Sequence, residues 1–338
     1  MLASVASQQL VAETKFAHAL GVGNLLPVNN NRCFLDLSVV TTVSVIAPDD
    51  TDSVAEPSAK PPIAFGLFNR CTSTQIRNVT RELPDLSGLP QYFSAFAEPS
   101  VRPLLQAVVD ELVGRSVGNE NFELTRNLTV DLYDASEGVD ATQDKLWRDF
   151  AGFIVTDRNR YAHLEISKKK FLEVVCEMGG AADKPSTTVN GVPYRVETLT
   201  RDNTGHCIDY DSNVALAINR QDYLDYLFQI YGLNGVVALD ARGEVRGYII
   251  SLGTHVLQCY ADEPQIARRL MQEHVVSMDD TTLSLFVRID DQDTGGLGDA
   301  LAQAATRARR VRRFHTRVAL TNINWAKIFA LNIGVHLF

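Results

Sequence analysis

Excess positive charge is missing from this chain. Lys and Arg number 32 against 41 Asp and Glu, a net charge of −9. That balance argues against a general nucleic-acid surface, which needs clustered basic residues. No apolar run approaches the roughly 18 residues of a membrane-spanning helix. The opening MLASVASQQLVAETKF has no basic segment ahead of an apolar core, and it carries Glu13 and almost no Arg. Neither a secretory nor a mitochondrial leader is expected, and the expected location is cytoplasmic. Cys33, Cys71, Cys176, Cys207 and Cys259 are scattered, without metal-ligand or redox spacing. Reduced, mostly buried thiols and no metal site are the expectation. Walker and Rossmann glycine patterns and a serine elbow are also missing.

What is present reads as a globular protein, 45% hydrophobic and 22% charged. At 338 residues, two domains are expected. Residues 179–193 (GGAADKPSTTVNGVP) combine Gly, Ser, Thr and Pro with few large apolar side chains, and mark the joint between 1–178 and 194–338. In the first part, the pattern predicts a helix over Val5–Ala19 and a strand or hairpin over Cys33–Ile46. A polar loop follows from Pro48 to Pro62, then a strand over Ile63–Phe68. Further on come a strand over Gln91–Ala97, a helix from Glu98 to Val113 and a strand over Leu124–Tyr133. A helix over Gln143–Val155, a strand over Tyr161–Ile166 and a helix over Lys170–Met178 complete it. In the second part, Tyr194–Leu199 reads as a strand and Ser212–Ile230 as a helix. Thr282–Ile289 reads as a strand, Asp299–Arg307 as a helix, Val311–Val318 as a strand and Trp325–Asn332 as a last helix.

The most informative stretch runs from Leu239 to Val276. Apolar runs Gly235–Leu239 and Gly247–Leu252 flank a charged turn containing Gly243, which gives an antiparallel hairpin. A third run, Val256–Tyr260, ends at Ala261-Asp262-Glu263-Pro264. Then Ile266, Ala267, Leu270, Met271, His274 and Val275 recur at helical spacing. A strand running into a helix start is a place where backbone N–H groups and a helix dipole can hold phosphate.

This order, with its Tyr260-Ala261-Asp262 turn, resembles the GNAT superfamily of N-acetyltransferases over about 194–318, and more narrowly the C-terminal domain of YitH-type acetyltransferases. The ending RRFHTRVALTNINWAKIFALN resembles an uncharacterised animal family related to that superfamily, with more than one domain copy in some members. Corresponding elements recur in the two parts. Ala97-Glu98-Pro99-Ser100-Val101 matches Asp262-Glu263-Pro264-Gln265-Ile266, LTVDLYDASEG matches LSLFVRIDDQDTGG, and KKKFLEVVCEM matches NWAKIFALNIG. The resemblance therefore implies an α+β protein of two tandem GNAT-like domains, each a mixed, mostly antiparallel sheet flanked by helices.

It also implies acetyl-CoA as cofactor and an amine of a small molecule or peptide as acceptor, acetylated by direct transfer. Cys259, Tyr260, Ala261, Asp262, Gln265, Ile266, Ala267 and Arg268 would supply the cofactor turn. Tyr260 or Tyr248 would be the acid for the departing thiolate, and Glu244, Asp290 or Asp291 the base. The superfamily's (Arg/Gln)-x-x-Gly-x-(Gly/Ala) turn is replaced here by Asp262-Glu263-Pro264-Gln265-Ile266-Ala267. Two acids and a proline lacking an N–H stand where a polyanion should bind. That favours the second reading, a GNAT-derived module that binds a small molecule or a protein without catalysis. The readings differ at one place. A cofactor needs an open wedge between the Val256–Tyr260 and Leu283–Ile289 strands. The basic run Arg307–Arg317 reads as a charged strand edge, and His315 as a hydrogen-bonded core or edge residue. His255 and Cys259, four apart on a strand, are roughly 13 Å apart and cannot pair.

Overall fold

The computed structural model describes residues 2–3, 40–46, 62–70, 75–82, 127–134, 148–149, 152–178, 188–189, 192–216, 218–229, 232–291 and 293–331. The expected helices at 5–19 and 98–113, the strand at 91–97 and nearly all of the 48–62 loop lie outside these residues. So does most of the expected helix at 143–155, although its last residue, Val155, opens a strand.

The described chain is α+β. Its strands are β1 (Leu2–Ala3), β2 (Val40–Ile46), β3 (Pro62–Arg70), β4 (Gln75–Glu82), β5 (Asn127–Tyr133), β6 (Val155–Ser167), β7 (Thr188–Val189), β8 (Val192–Thr198), β9 (Leu233–Asp240), β10 (Val245–Leu252), β11 (His255–Ala261), β12 (Thr282–Ile289), β13 (Arg307–His315) and β14 (Ile328–Ala330). Its helices are α1 (Lys168–Glu177), α2 (Arg201–Ala215), α3 (Gln221–Leu227), α4 (Pro264–Val276) and α5 (Leu297–Ala304).

The strands form one sheet in the order β1-β2-β3-β4-β5-β13-β6-β12-β11-β10-β9-β8-β7, with β14 pairing β11 off this path. At its centre β6 and β13 run antiparallel, Val311 opposite Tyr161. Outward from this pair the two sides match. β5 lies parallel to β4, then antiparallel β3 and β2 follow. β12 lies parallel to β11, then antiparallel β10 and β9 follow. The central strands are exchanged, since β6 pairs β12 and β13 pairs β5. LTVDLY and LSLFVRI thus occupy equivalent places. The third expected match fails: KKKFLEVVC forms α1, whereas IFA in NWAKIFALNIG forms β14.

Helices cover both faces. Tyr210 and Val214 of α2 and Leu224 and Leu227 of α3 pack with Tyr248, Leu257, Tyr260 and Phe286. On the other face Phe171, Ile266, Leu270 and Leu301 pack with Ile249, Cys259, Leu285 and Val287. The α4 stripe is buried at all six spaced positions. In the β9–β10 turn, Gly243 has φ +82°, a region glycine enters without cost. Asp240 ties the turn by accepting the N–H groups of Arg242 and Glu244.

Three expectations are corrected. The single helix over Ser212–Ile230 is two. Its first part begins at Arg201, where the Asn203 side chain accepts the Thr200 N–H, and it breaks at Leu216 with φ 44°. The cap signal is Thr-x-x-Asn, a weaker relative of the usual capping box. The last helix is instead a single turn, Trp325–Lys327, leading into β14. A short apolar run such as IFAL fits either period, and packing decides between them. Within the expected joint, Thr188 pairs with Pro193 and Val189 with Val192 as antiparallel β7 and β8.

Candidate functional site

β11 changes partners along its length. At its foot His255 pairs with Ser284 and Val256 with Leu285 on parallel β12, and the ladder ends there. Against β10, Ser251 pairs with Val256 and Ile250 with Gln258, so Leu257 is a bulge. A bulge bends its strand and re-aims side chains, and bulges gather beside functional sites. Leu257 packs on the α2–α3 face, and Gln258 reaches partners on the same face. Beyond the bulge β11 and β12 diverge, as the cofactor reading required.

The wedge between them is filled by the protein itself. Cys259 pairs with Ala330 and Tyr260 with Ile328 on antiparallel β14. On the other side Leu331 bridges to Phe286, its N–H donating to the Phe286 carbonyl at 3.0 Å. Ile328, Ala330 and Leu331 are fully buried, and Phe329 is 3% exposed. The segment leading into β14 is clamped as well. Arg288 donates to the Trp325 carbonyl at 2.6 Å, and its guanidinium lies over the indole ring. Asn324 N–H donates to the Val214 carbonyl, and Lys327 Nζ reaches Asp262 Oδ1 at 2.8 Å.

The expected site residues separate into three environments. Cys259, Tyr260 and Ala261 are buried in the strand, and Ile266 and Ala267 in the core beneath α4. Burial pushes the Cys259 thiol up. Asp262 is half-buried and engaged by Tyr210, Arg246 and Lys327. Gln265 is exposed at the helix start and Arg268 is half-buried. Arg268 and Arg269 lie near enough to Tyr194 to oppose the upward shift that burial gives its phenol. Asp290 sits past the end of β12, exposed, 3.3 Å from Arg160, with φ 55° and Asp299 accepting its N–H. Asp291 is buried and organises its loop through Arg288 and Thr294. Glu244 is exposed and pairs with Arg246.

Tyr248 and Tyr260, the expected acids, are 0% exposed and face each other edge-on at 5.7 Å. Tyr248 donates to Asp211 Oδ2 at 2.8 Å and accepts from Gln258 at 2.6 Å. Arg220 donates to the Tyr260 oxygen at 2.7 Å and to Gln258 Oε1 at 2.9 Å. Burial holds the Tyr248 phenol well above its ordinary range, with the Asp211 charge adding to the rise. Burial likewise raises the Asp211 carboxyl, opposed by Arg220 and by the Tyr248 hydrogen bond. Asp211, Arg220 and Gln258 were not expected at this place. They are ordinary polar residues in sequence, and only their meeting inside the core distinguishes them.

Hydroxyl–imidazole contacts add to these, the first at His315, the hydrogen-bonded core residue that was expected. At the sheet centre His315, 0% exposed, lies 2.8 Å from Thr129 Oγ1 and 3.3 Å from Asp157 Oδ2. Burial works against the Asp157 charge, but His315, Arg313 and the Asn159 N–H outweigh it and hold the carboxyl below its usual range. At the foot of β11, Ser284 Oγ lies 2.8 Å from His163 Nε2 and 3.0 Å from His255 Nδ1. His255 thus meets Ser284 and not Cys259. The basic run is a strand with internal partners: Arg313 is buried against Asp131, Arg312 meets Asp134 and Arg307 meets Glu165. Among the described cysteines Cys207 and Cys259 are buried and Cys176 is exposed, in keeping with the expectation of mostly buried thiols. Among the described residues no group of three or more His, Cys, Asp or Glu is placed to hold a metal, and no helix is long and apolar enough to cross a membrane.

A family model described as a domain of unknown function (DUF7596) matches residues 48–155. No curated protein matches the sequence. Among solved structures, the chain is similar to a putative acetyltransferase from Pyrococcus horikoshii, at 13% identity and TM-score 0.46, over 80% of this chain and 74% of that one. It is similar to a tandem GNAT protein from the clavulanic acid biosynthesis pathway, at 11% identity and TM-score 0.47, over 93% and 97%. A GCN5-related N-acetyltransferase from Sphaerobacter thermophilus aligns at 13% identity and TM-score 0.41, over 93% and 92%.

The residues at this site do not fit acetyl-CoA as they stand. The strand edge that would bond the cofactor arm is bonded to β14.

Proposed function

We propose that this chain is a GNAT-derived protein of two fused units, 1–178 and 194–338. In this reading the second unit acts as a non-catalytic binding and scaffold module, its cofactor wedge closed by its own β14. The mirrored strand order, the Leu257 bulge and the divergence of β11 from β12 support the descent. The β14 pairing to Cys259 and Tyr260 carries the closure.

Magnitude decides between the two readings. Burying Ile, Phe or Leu is worth about 1.5–3 kcal/mol each, so expelling Ile328, Phe329 and Leu331 costs roughly 5–9 kcal/mol. A micromolar ligand supplies about 8 kcal/mol in total. Acetyl-CoA entering this wedge would spend essentially all its affinity on displacement. The second reading is an acetyl-CoA-dependent N-acetyltransferase whose β14 withdraws, and the bulge beside the divergence favours it. There the 259–268 turn would take the cofactor, while Tyr260, Tyr248 and Asp290 would need to reach an amine acceptor they do not face in the closed form.

Calorimetric titration of the purified chain with acetyl-CoA and with CoA separates the two. No saturable heat up to near-millimolar ligand from folded protein is expected. Micromolar binding that is lost in Arg268→Glu would overturn the closed reading and call for a screen of amine acceptors.

A further inference from the structure

Ser284 is a hydroxyl shared by two imidazoles, and a hydroxyl has one proton to give. His255 is 1% exposed, and its Nε2 has no hydrogen-bond partner. A proton on that nitrogen would be a buried, unsatisfied donor, a rare and costly state. The proton therefore belongs on Nδ1, from which His255 donates to Ser284 Oγ at 3.0 Å. That leaves the Ser284 hydrogen one good acceptor, His163 Nε2 at 2.8 Å. His163 is fixed in place, stacked on Phe286 at 4.3 Å with an interplanar angle of 17°. Burial pulls His255 down to about 3, so it stays a neutral orienting group at any working pH. Hydroxyl and base thus stand within hydrogen-bond reach, as an activated serine requires, and His255 holds the hydroxyl so that its proton faces the base.

Access distinguishes this cluster from the buried Ser251–His274 pair and from the cluster at His315. Thr129 and His315 are both 0% exposed, and their contacts knit β5, β13 and β6 together. Ser284 and His163 are half-buried, at the foot of β11 away from the segment that closes the wedge.

We propose that Ser284 is a nucleophile for activated acyl esters and thioesters, with His163 as its general base and His255 as a positioning residue. The Ser284 oxygen bonds to the acyl carbon as the bond from that carbon to the leaving oxygen or sulfur breaks. The serine proton passes to His163 and from there to the leaving group. Water or an amine then takes the acyl group and returns a proton, restoring the hydroxyl. This site is independent of acetyl-CoA binding in the wedge.

The test uses p-nitrophenyl acetate on the full chain, with stopped-flow release of nitrophenolate and intact and peptide mass analysis. A burst of one nitrophenolate per chain and one acetyl group on the 282–289 strand at Ser284 are expected. Ser284→Ala should abolish both while melting like the parent. His163→Gln, which keeps a hydrogen-bonding side chain but removes the base, should slow acylation about 100-fold or more. Release and adduct unchanged in folded Ser284→Ala, or an adduct confined to another residue, would overturn the proposal. So would a His163→Gln protein that acylates at the parental rate.

Discussion

The two ends of β11 contrast sharply. At the top, Cys259 and Tyr260 are paired to β14, and Tyr248, Ile328, Phe329 and Leu331 beside them are sealed in. At the foot, His255 and Val256 pair with β12, and the polar groups there are imidazoles and hydroxyls, partly open to solvent. The bulge at Leu257 divides them. A wedge-forming strand divergence exists in both readings of the sequence. What fills the wedge decides what the fold can do.

The largest expected effect comes from breaking the top. Phe329→Ala removes a ring that is 3% exposed and holds β14 in the second core layer. It should lower unfolding free energy by about 3–5 kcal/mol in urea titration. A loss below 1 kcal/mol would mean that β14 is not packed as described.

The foot should show itself in acid. Burial pulls His274, which meets Ser251 Oγ at 2.7 Å, down to about 4. The unfolded chain, with an ordinary His, binds a proton below about pH 6.5 that the folded chain refuses until about pH 4. Stability should therefore fall by about 3 kcal/mol as pH drops through that window, and level off below it for this group. His274→Gln should flatten that part of the pH profile, read by denaturant midpoints at pH 7, 5 and 4.

Where β10 meets the top of β11 the backbones are close. A Cβ at Gly247 would stand 2.7 Å from the Tyr260 carbonyl oxygen and 2.8 Å from Ala261. Gly247→Ala should cost roughly 1–3 kcal/mol of stability by denaturation. The smallest effect belongs to Lys327, whose ion pair with Asp262 is partly exposed. Lys327→Ala should cost under about 1 kcal/mol. A much larger loss would show that the pair, and not apolar packing, keeps the wedge shut.

Much of the second part was legible because its signals are local. The α4 stripe, the Gly243 turn and the strand before Asp262 follow from spacing and from one glycine. The equivalence of 127–133 with 282–289 was also visible as a repeat. Long-range pairing was not. Nothing local tells IFAL to be a strand, because its partner Cys259 is 71 residues away from Ala330 along the chain. The exchange of β6 and β13 is a choice of neighbour that periodicity does not encode. Ser284, His163 and His255 come from three strands, and Asp211, Arg220 and Gln258 from two helix regions and one strand, so only the sheet's register assembles them. Tyr248 and Tyr260 were readable as strand residues, but their complete enclosure follows from α2, whose start was missed.

The most direct test is a cross-link across the wedge. Cys259 and Ala330 are register partners in an antiparallel pair, where Cα atoms lie about 4.5–5.5 Å apart and a disulfide can form. Ala330→Cys, purified folded and treated with a mild oxidant, should give an intramolecular disulfide between Cys259 and the introduced thiol, seen by peptide mass analysis. If the folded protein forms no such bond and the introduced thiol is freely alkylated, β14 does not occupy the wedge and the closed-module account is wrong.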